Sequence, residues 1–71
     1  MEVEFIMRDP ARIDKFCNEL AKLWHEVPDW RFAQFMYNIE LAWRNNEVLD
    51  YFFVEDERFM KFMKEYFGDE N

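Results

Sequence analysis

Fifteen aromatic side chains, nine Phe with three Trp and three Tyr, crowd a chain of only 71 residues. A domain of this length buries about 60% of the surface its unfolded chain would expose, so it has difficulty hiding so many large apolar groups. The same inventory is far too apolar for a disordered chain. Residues 1–71 therefore read as a single compact domain that leaves part of its apolar surface for a partner. Half the usual domain length leaves no room for a separate catalytic module.

Missing residue types narrow the chemistry. There is no Ser and no Thr, which removes hydroxyl nucleophile triads and Ser/Thr phosphorylation together. The one glycine, Gly68, lies three residues from the end, so no dinucleotide-binding turn or phosphate-cradling loop can be written. One Cys and one His cannot assemble a four-ligand zinc site or an internal disulfide. The expectation is a non-enzymatic protein without cofactor or metal, in a reducing cytoplasmic setting. Met1-Glu2-Val3-Glu4 lacks the basic-then-apolar pattern of a secretion signal, and no apolar run is long enough to cross a membrane, so no membrane partner is expected.

Sixteen acids against nine bases give a net charge of −7, which repels a phosphate backbone and argues against direct nucleic-acid binding. The acids concentrate toward the C-terminus. From Glu47 to Asn71 eight acids face Arg58, Lys61 and Lys64, leaving −5 on that third. Such a run ordinarily keeps a sticky protein in solution. Glu55, Asp56, Glu57 and Glu65 are the candidate acidic patch if it also attracts a basic partner.

Hydrophobic spacing predicts a mostly α, α+β fold of three helices with one small two-stranded β-ladder. Residues 2–7 alternate with period two and read as a short strand. Asp9-Pro10 reads as a cap followed by proline at the first helical position. The first helix then presents Ile13, Phe16, Cys17, Leu20, Leu23, Trp24 and Val27 on one face until Val27-Pro28 ends it. Asp29 is placed to cap a second helix, from Trp30 to about Arg44, with two apolar stripes. Phe32, Phe35, Met36, Ile39, Ala42 and Trp43 form one, and Trp30, Ala33, Tyr37 and Leu41 the other. Asn45-Asn46 offers a left-handed stop. Tyr51-Phe52-Phe53-Val54 is β-prone and reads as the partner of the first strand, residues 3–7. The last helix opens at Glu55-Asp56, turns Phe59, Phe62, Met63 and Tyr66 inward, pairs Glu57 with Lys61, and ends at Gly68.

Arg8-Asp9-Pro10-x-Arg12-Ile13, Leu23-Trp24, Pro28-Asp29-Trp30-Arg31-Phe32-x-Gln34-Phe35 and Tyr51-Phe52-x-Val54-Glu55-Asp56 together resemble a set of small bacterial and phage proteins of unknown function, distantly YihD-like. The likeness spans roughly residues 8 to 63. It implies a compact, mostly helical fold and no known activity. The aromatic residues at Phe35, Tyr37 and Trp43 depart from it.

Cys17 and His25, eight residues apart on one helix, lie more than about 10 Å apart along its axis and cannot form a nucleophile–base pair. Cys17 reads as a small core residue and His25 as a favourable charge at a helix end. Three successive acids at Glu55, Asp56 and Glu57 lack the spacing of a calcium loop. Arg31 and Gln34 share one side of the second helix. Arg31 is suited to bracing a carboxylate such as Asp9 or Glu55, and Gln34 to bonding a backbone group at a strand edge. Alternatively they form the polar centre of a partner-binding surface with Trp30, Tyr37 and Leu41, since aromatic residues with Arg are the usual makings of a binding hot spot. Two functions follow. The first is an interaction module that binds itself, as a homodimer, or a host protein through the second stripe of helix two. The alternative is a phage-type inhibitor whose acidic surface occupies the nucleic-acid channel of a host defence or replication enzyme.

Overall fold

The computed structural model describes residues 8–68. Three helices follow in order: α1 (Ala11–Trp24), α2 (Phe32–Asn46) and α3 (Asp56–Tyr66), with a single 3₁₀ turn (Tyr51–Phe53) between the last two. α3 packs against both of the others.

Local chemistry sets each helix end. The Asp9 carboxylate accepts the Ala11 backbone N–H at 2.9 Å, and Pro10 already has helical dihedrals, as the Asp-Pro pair predicts. α1 ends at Trp24, earlier than the spacing suggests. The chain nevertheless keeps turning through N–H bonds from Glu26 to the Leu23 carbonyl and from Val27 to the Trp24 carbonyl before Pro28. Gly68 has φ +76°, the left-handed stop expected of it, and its N–H reaches the Glu65 carbonyl at 3.0 Å. Asn46 takes no such conformation. Its side-chain amide donates to the Ala42 carbonyl at 2.8 Å, and the chain leaves α2 through an extended Glu47.

The β-ladder is overturned. No strand occurs among the described residues, and the first half of the expected ladder, residues 3–7, lies outside them. In the other half, Asp50 accepts the Phe52 N–H at 3.0 Å while the Phe53 N–H bonds the Asp50 carbonyl, winding Tyr51–Phe53 into a 3₁₀ turn. A side chain that bonds the backbone two residues on competes with extended structure, and here it outweighs the β propensity of the aromatic residues.

Leu23, Phe35, Ile39, Trp43, Met60, Phe62 and Met63 form the buried core. Aromatic contacts gather at its two ends. At one, Phe35 stacks on Phe67 with centroids 5.6 Å apart, and Trp24 and Trp30 close around them. At the other, Trp43 meets Phe62 edge-on at 4.9 Å and Phe59 at 5.6 Å. The first stripe of α2 is the inward one, apart from exposed Phe32. Of the α1 stripe, only Leu23 is fully buried, with Phe16, Leu20 and Trp24 half-covered. Cys17 and Ile13 are exposed, contrary to expectation, because the packed face of α1 is narrower than its apolar stripe. Tyr66 likewise points outward, while Met60 joins Met63 in the core and Phe67 packs against it.

Two tryptophans fasten the connections between helices. The Trp24 indole N–H donates to the Trp30 carbonyl at 2.8 Å, and the Trp43 indole N–H to the Leu49 carbonyl at 2.6 Å, each reaching six residues ahead. The half-buried Trp24 and the buried Trp43 each satisfy the ring's polar atom on the loop it packs beneath.

Candidate interaction surface

α2 opens at Arg31, which is extended and occupies the cap position expected of Asp29. Gln34 folds back so that its side-chain oxygen accepts the Arg31 backbone N–H at 2.8 Å, satisfying one of the donors that a helix start leaves free. Gln34 therefore bonds a backbone group, as read from sequence, but at a helix start and not at a strand edge. The carboxylates expected to brace Arg31 are engaged elsewhere. Asp9 caps α1, and Glu55 receives both Nε and Nη2 of Arg8, at 3.3 and 2.7 Å.

Helical spacing brings most of the remaining candidates together. Trp30, Gln34 and Tyr37 line one shallow groove of about 400 Å³ with Ala33 and Asn38. Leu41 continues the same stripe one turn further on, and Arg31 stands at its start without lining the groove. Tyr37 is 61% exposed and Leu41 41%, whereas Trp30 is half-buried, its ring 6.2 Å from Phe67. Trp30 thus joins core and surface, a fixed edge against which the more exposed Tyr37 stands.

This helix carries few charges. From Trp30 to Asn46 its charges are Arg31, Glu40 and Arg44, a net of +1 in a protein of −7. Glu40 and Arg44 pair one turn apart, which holds the Arg44 guanidinium still more firmly protonated, and the negative charge of Glu40 also raises the Tyr51 hydroxyl above its usual range.

The acidic patch is largely engaged within the molecule. Glu55 pairs with Arg8, Asp56 with Arg12 at 3.1 Å and Glu65 with Lys61 at 3.3 Å. The hydrogen bonds and charge of Arg8 hold the Glu55 carboxyl below its ordinary range. Lys61 thus reaches forward to Glu65 and not back to Glu57. Together with Lys64 to Glu19 at 3.2 Å, the Arg12–Asp56 pair spans a groove of about 560 Å³ between α1 and α3, where acids and bases alternate. Carboxylates neutralised in this way make a braced helix start, and little of their charge is free to draw a distant cation.

His25 follows the end of α1, where its backbone N–H bonds the Ala21 carbonyl, and Cys17 stands alone on the surface. Among the described residues, no group of three or more His, Cys, Asp or Glu is arranged to hold a metal ion, and no helix is long and apolar enough to cross a membrane.

A second exposed apolar region escaped the sequence reading. Between α2 and α3, Val48, Leu49, Phe52 and Phe53 all face solvent, Phe52 at 79% and Phe53 at 69%. The signal was present in Asp50, whose type and position favour a capped turn over a strand with one buried face. Compared with the models of known protein families, with curated proteins and with solved structures, the chain matches none.

Proposed function

We propose that this chain is a small acidic, non-catalytic protein-interaction module that acts in the cytoplasm and self-associates through the outer stripe of α2, with Trp30, Tyr37 and Leu41 as its apolar contacts and Arg31 and Gln34 at its polar edge. The observation that carries this reading is the coincidence of apolar exposure with low charge. Tyr37 and Leu41 stand in solvent on a helix whose only charges, Glu40 and Arg44, pair with each other. Two copies meeting there keep their acids apart, and at physiological salt a screening length of about 8 Å damps the repulsion of the rest. A two-fold contact gives each aromatic an identical surface to meet, and burial supplies about 25 cal/mol per Å² of apolar area.

Sedimentation equilibrium tests it. The chain is expected to dimerise below about 100 μM, a modest affinity of roughly 5 kcal/mol or more. Tyr37→Glu and Leu41→Glu each return it to a monomer without loss of helix, since both positions are exposed. A monomer throughout that range, or a dimer indifferent to both substitutions, contradicts the reading.

A further inference from the structure

The connection between α2 and α3 is braced along its backbone while part of its apolar surface faces solvent. Three bonds hold the backbone of Tyr51–Phe53: the Asp50 side chain on the Phe52 N–H, the Phe53 N–H on the Asp50 carbonyl, and the Val54 N–H on the Tyr51 carbonyl. The Trp43 indole fixes the Leu49 carbonyl just upstream, and Tyr51 lies edge-on to Phe59 with centroids 6.4 Å apart. Yet this well-braced turn displays Phe52 and Phe53 outward, edge to face at 5.1 Å. A contiguous exposed apolar patch marks an interaction site, and aromatic anchors held in place beforehand lower the ordering cost of binding. Beneath Phe52 lies a groove of about 420 Å³ whose apolar wall is Met36, Tyr51, Phe52, Val54 and Phe59.

Charge identifies what fits there. Residues 47–57 contain five acids and no base. Arg58, Arg8 and Arg12 pair with Glu47, Glu55 and Asp56, and among the described residues Asp50 and Glu57, on either side of the turn in the sequence, pair with no base. A second copy is a poor occupant, because it would bring the acids of two such turns together. A segment carrying Lys or Arg around an apolar anchor meets no such objection.

We infer that the turn at Asp50–Phe53 and the groove beneath Phe52 form a second docking surface, distinct from the outer stripe of α2, for a basic amphipathic segment of another protein. The apolar anchor of that segment enters the groove beside Phe52, and its cations lie toward Asp50 and Glu57.

Three synthetic helical peptides test this against the full chain by NMR titration and fluorescence anisotropy: one with Leu at helical spacing and Lys elsewhere, one with every Lys replaced by Glu, and one with every Leu replaced by Gln. The Lys–Leu peptide is expected to shift the amides of Met36, Phe52 and Phe59 and to bind at least tenfold more tightly than either control, less so as salt rises. Phe52→Ala should cost at least tenfold in affinity while leaving the melting temperature and the sedimentation behaviour unchanged. The inference is overturned if the Lys–Leu peptide does not bind, if the Lys–Gln peptide binds equally well, if Phe52→Ala has no effect, or if the shifts fall on Ala33, Tyr37 and Leu41. Shifts at Phe52 and Phe59 on concentrating the protein alone would instead assign the groove to a second copy. None of these outcomes bears on whether Tyr37→Glu abolishes the α2 dimer.

Discussion

After α1 and again after α2 the chain is fastened by a tryptophan whose indole N–H bonds a carbonyl six residues on, but the two connections treat their apolar residues in opposite ways. In the first, between Trp24 and Phe32, Val27 and Trp30 fold back against the core. In the second, between Asn46 and Asp56, Val48, Leu49, Phe52 and Phe53 stay in solvent although the backbone that carries them is just as well fixed. Exposure in the second connection is therefore not slackness. The same latch closes one end of the core and holds an aromatic display at the other.

The largest expected effect strikes the latch of the second connection. Trp43→Ala removes a buried ring that meets Phe59 and Phe62 and lies beneath the Arg58 guanidinium at 5.2 Å, and it also frees the Leu49 carbonyl. A loss of about 3–5 kcal/mol is expected, comparable to the whole stability of a domain this small, so the variant should not show a cooperative melt. Trp24→Ala, with its ring only half-buried, should cost less. The reverse order would mean that the first connection carries the core.

A sharper contrast comes from deleting side chains between the latches. Val27→Ala should destabilise by about 1 kcal/mol, because the methyl groups it removes pack against the core. Phe52→Ala deletes a far larger group and should change stability by less than about 0.5 kcal/mol, since that ring is exposed. Urea denaturation of the two variants side by side checks this, and a greater loss for Phe52→Ala would erase the distinction. Asp50→Ala follows, at about 0.5–1 kcal/mol for the lost cap. It should also broaden the Phe52 and Phe53 amide signals while leaving those of Glu26 and Val27 unchanged.

Much of this is legible in the sequence, and each departure has its own physical reason. Periodicity located all three helices, Asp9-Pro10 gave the first cap and Gly68 the last stop. Cys17 and Tyr66 were assigned inward because a stripe shows which side of a helix is apolar, not how much of that side a neighbour covers. Tyr51–Val54 was read as a strand because side-chain propensity was weighed without the Asp50 carboxylate that bonds the Phe52 backbone. On the surface, Trp30, Gln34 and Tyr37 were grouped rightly because helical spacing alone places them together. The ion pairs of the acidic patch are not legible in the sequence, because Arg8 and Arg12, which pair with Glu55 and Asp56, lie more than forty residues away.

The smallest predicted effect concerns that pairing. Glu55 has a folded-state pKa below its unfolded value near 4.5, so the stability it contributes is present above that pH and is lost as the pH falls through the lower folded value. Arg8 stays charged throughout. Melting temperature followed downward from pH 5 should decline less steeply in Glu55→Gln than in the parent chain. An identical decline would show that the Arg8–Glu55 pair adds nothing measurable to stability.

The separation of the two exposed apolar regions, one for a second copy and one for a basic partner, is tested most directly by ¹⁵N spectra of the protein alone, diluted from about 1 mM to about 20 μM. The account predicts concentration-dependent shifts at Ala33, Tyr37 and Leu41, with Phe52 and Phe53 unmoved. Shifts confined to Phe52 and Phe53, or none anywhere, would contradict it.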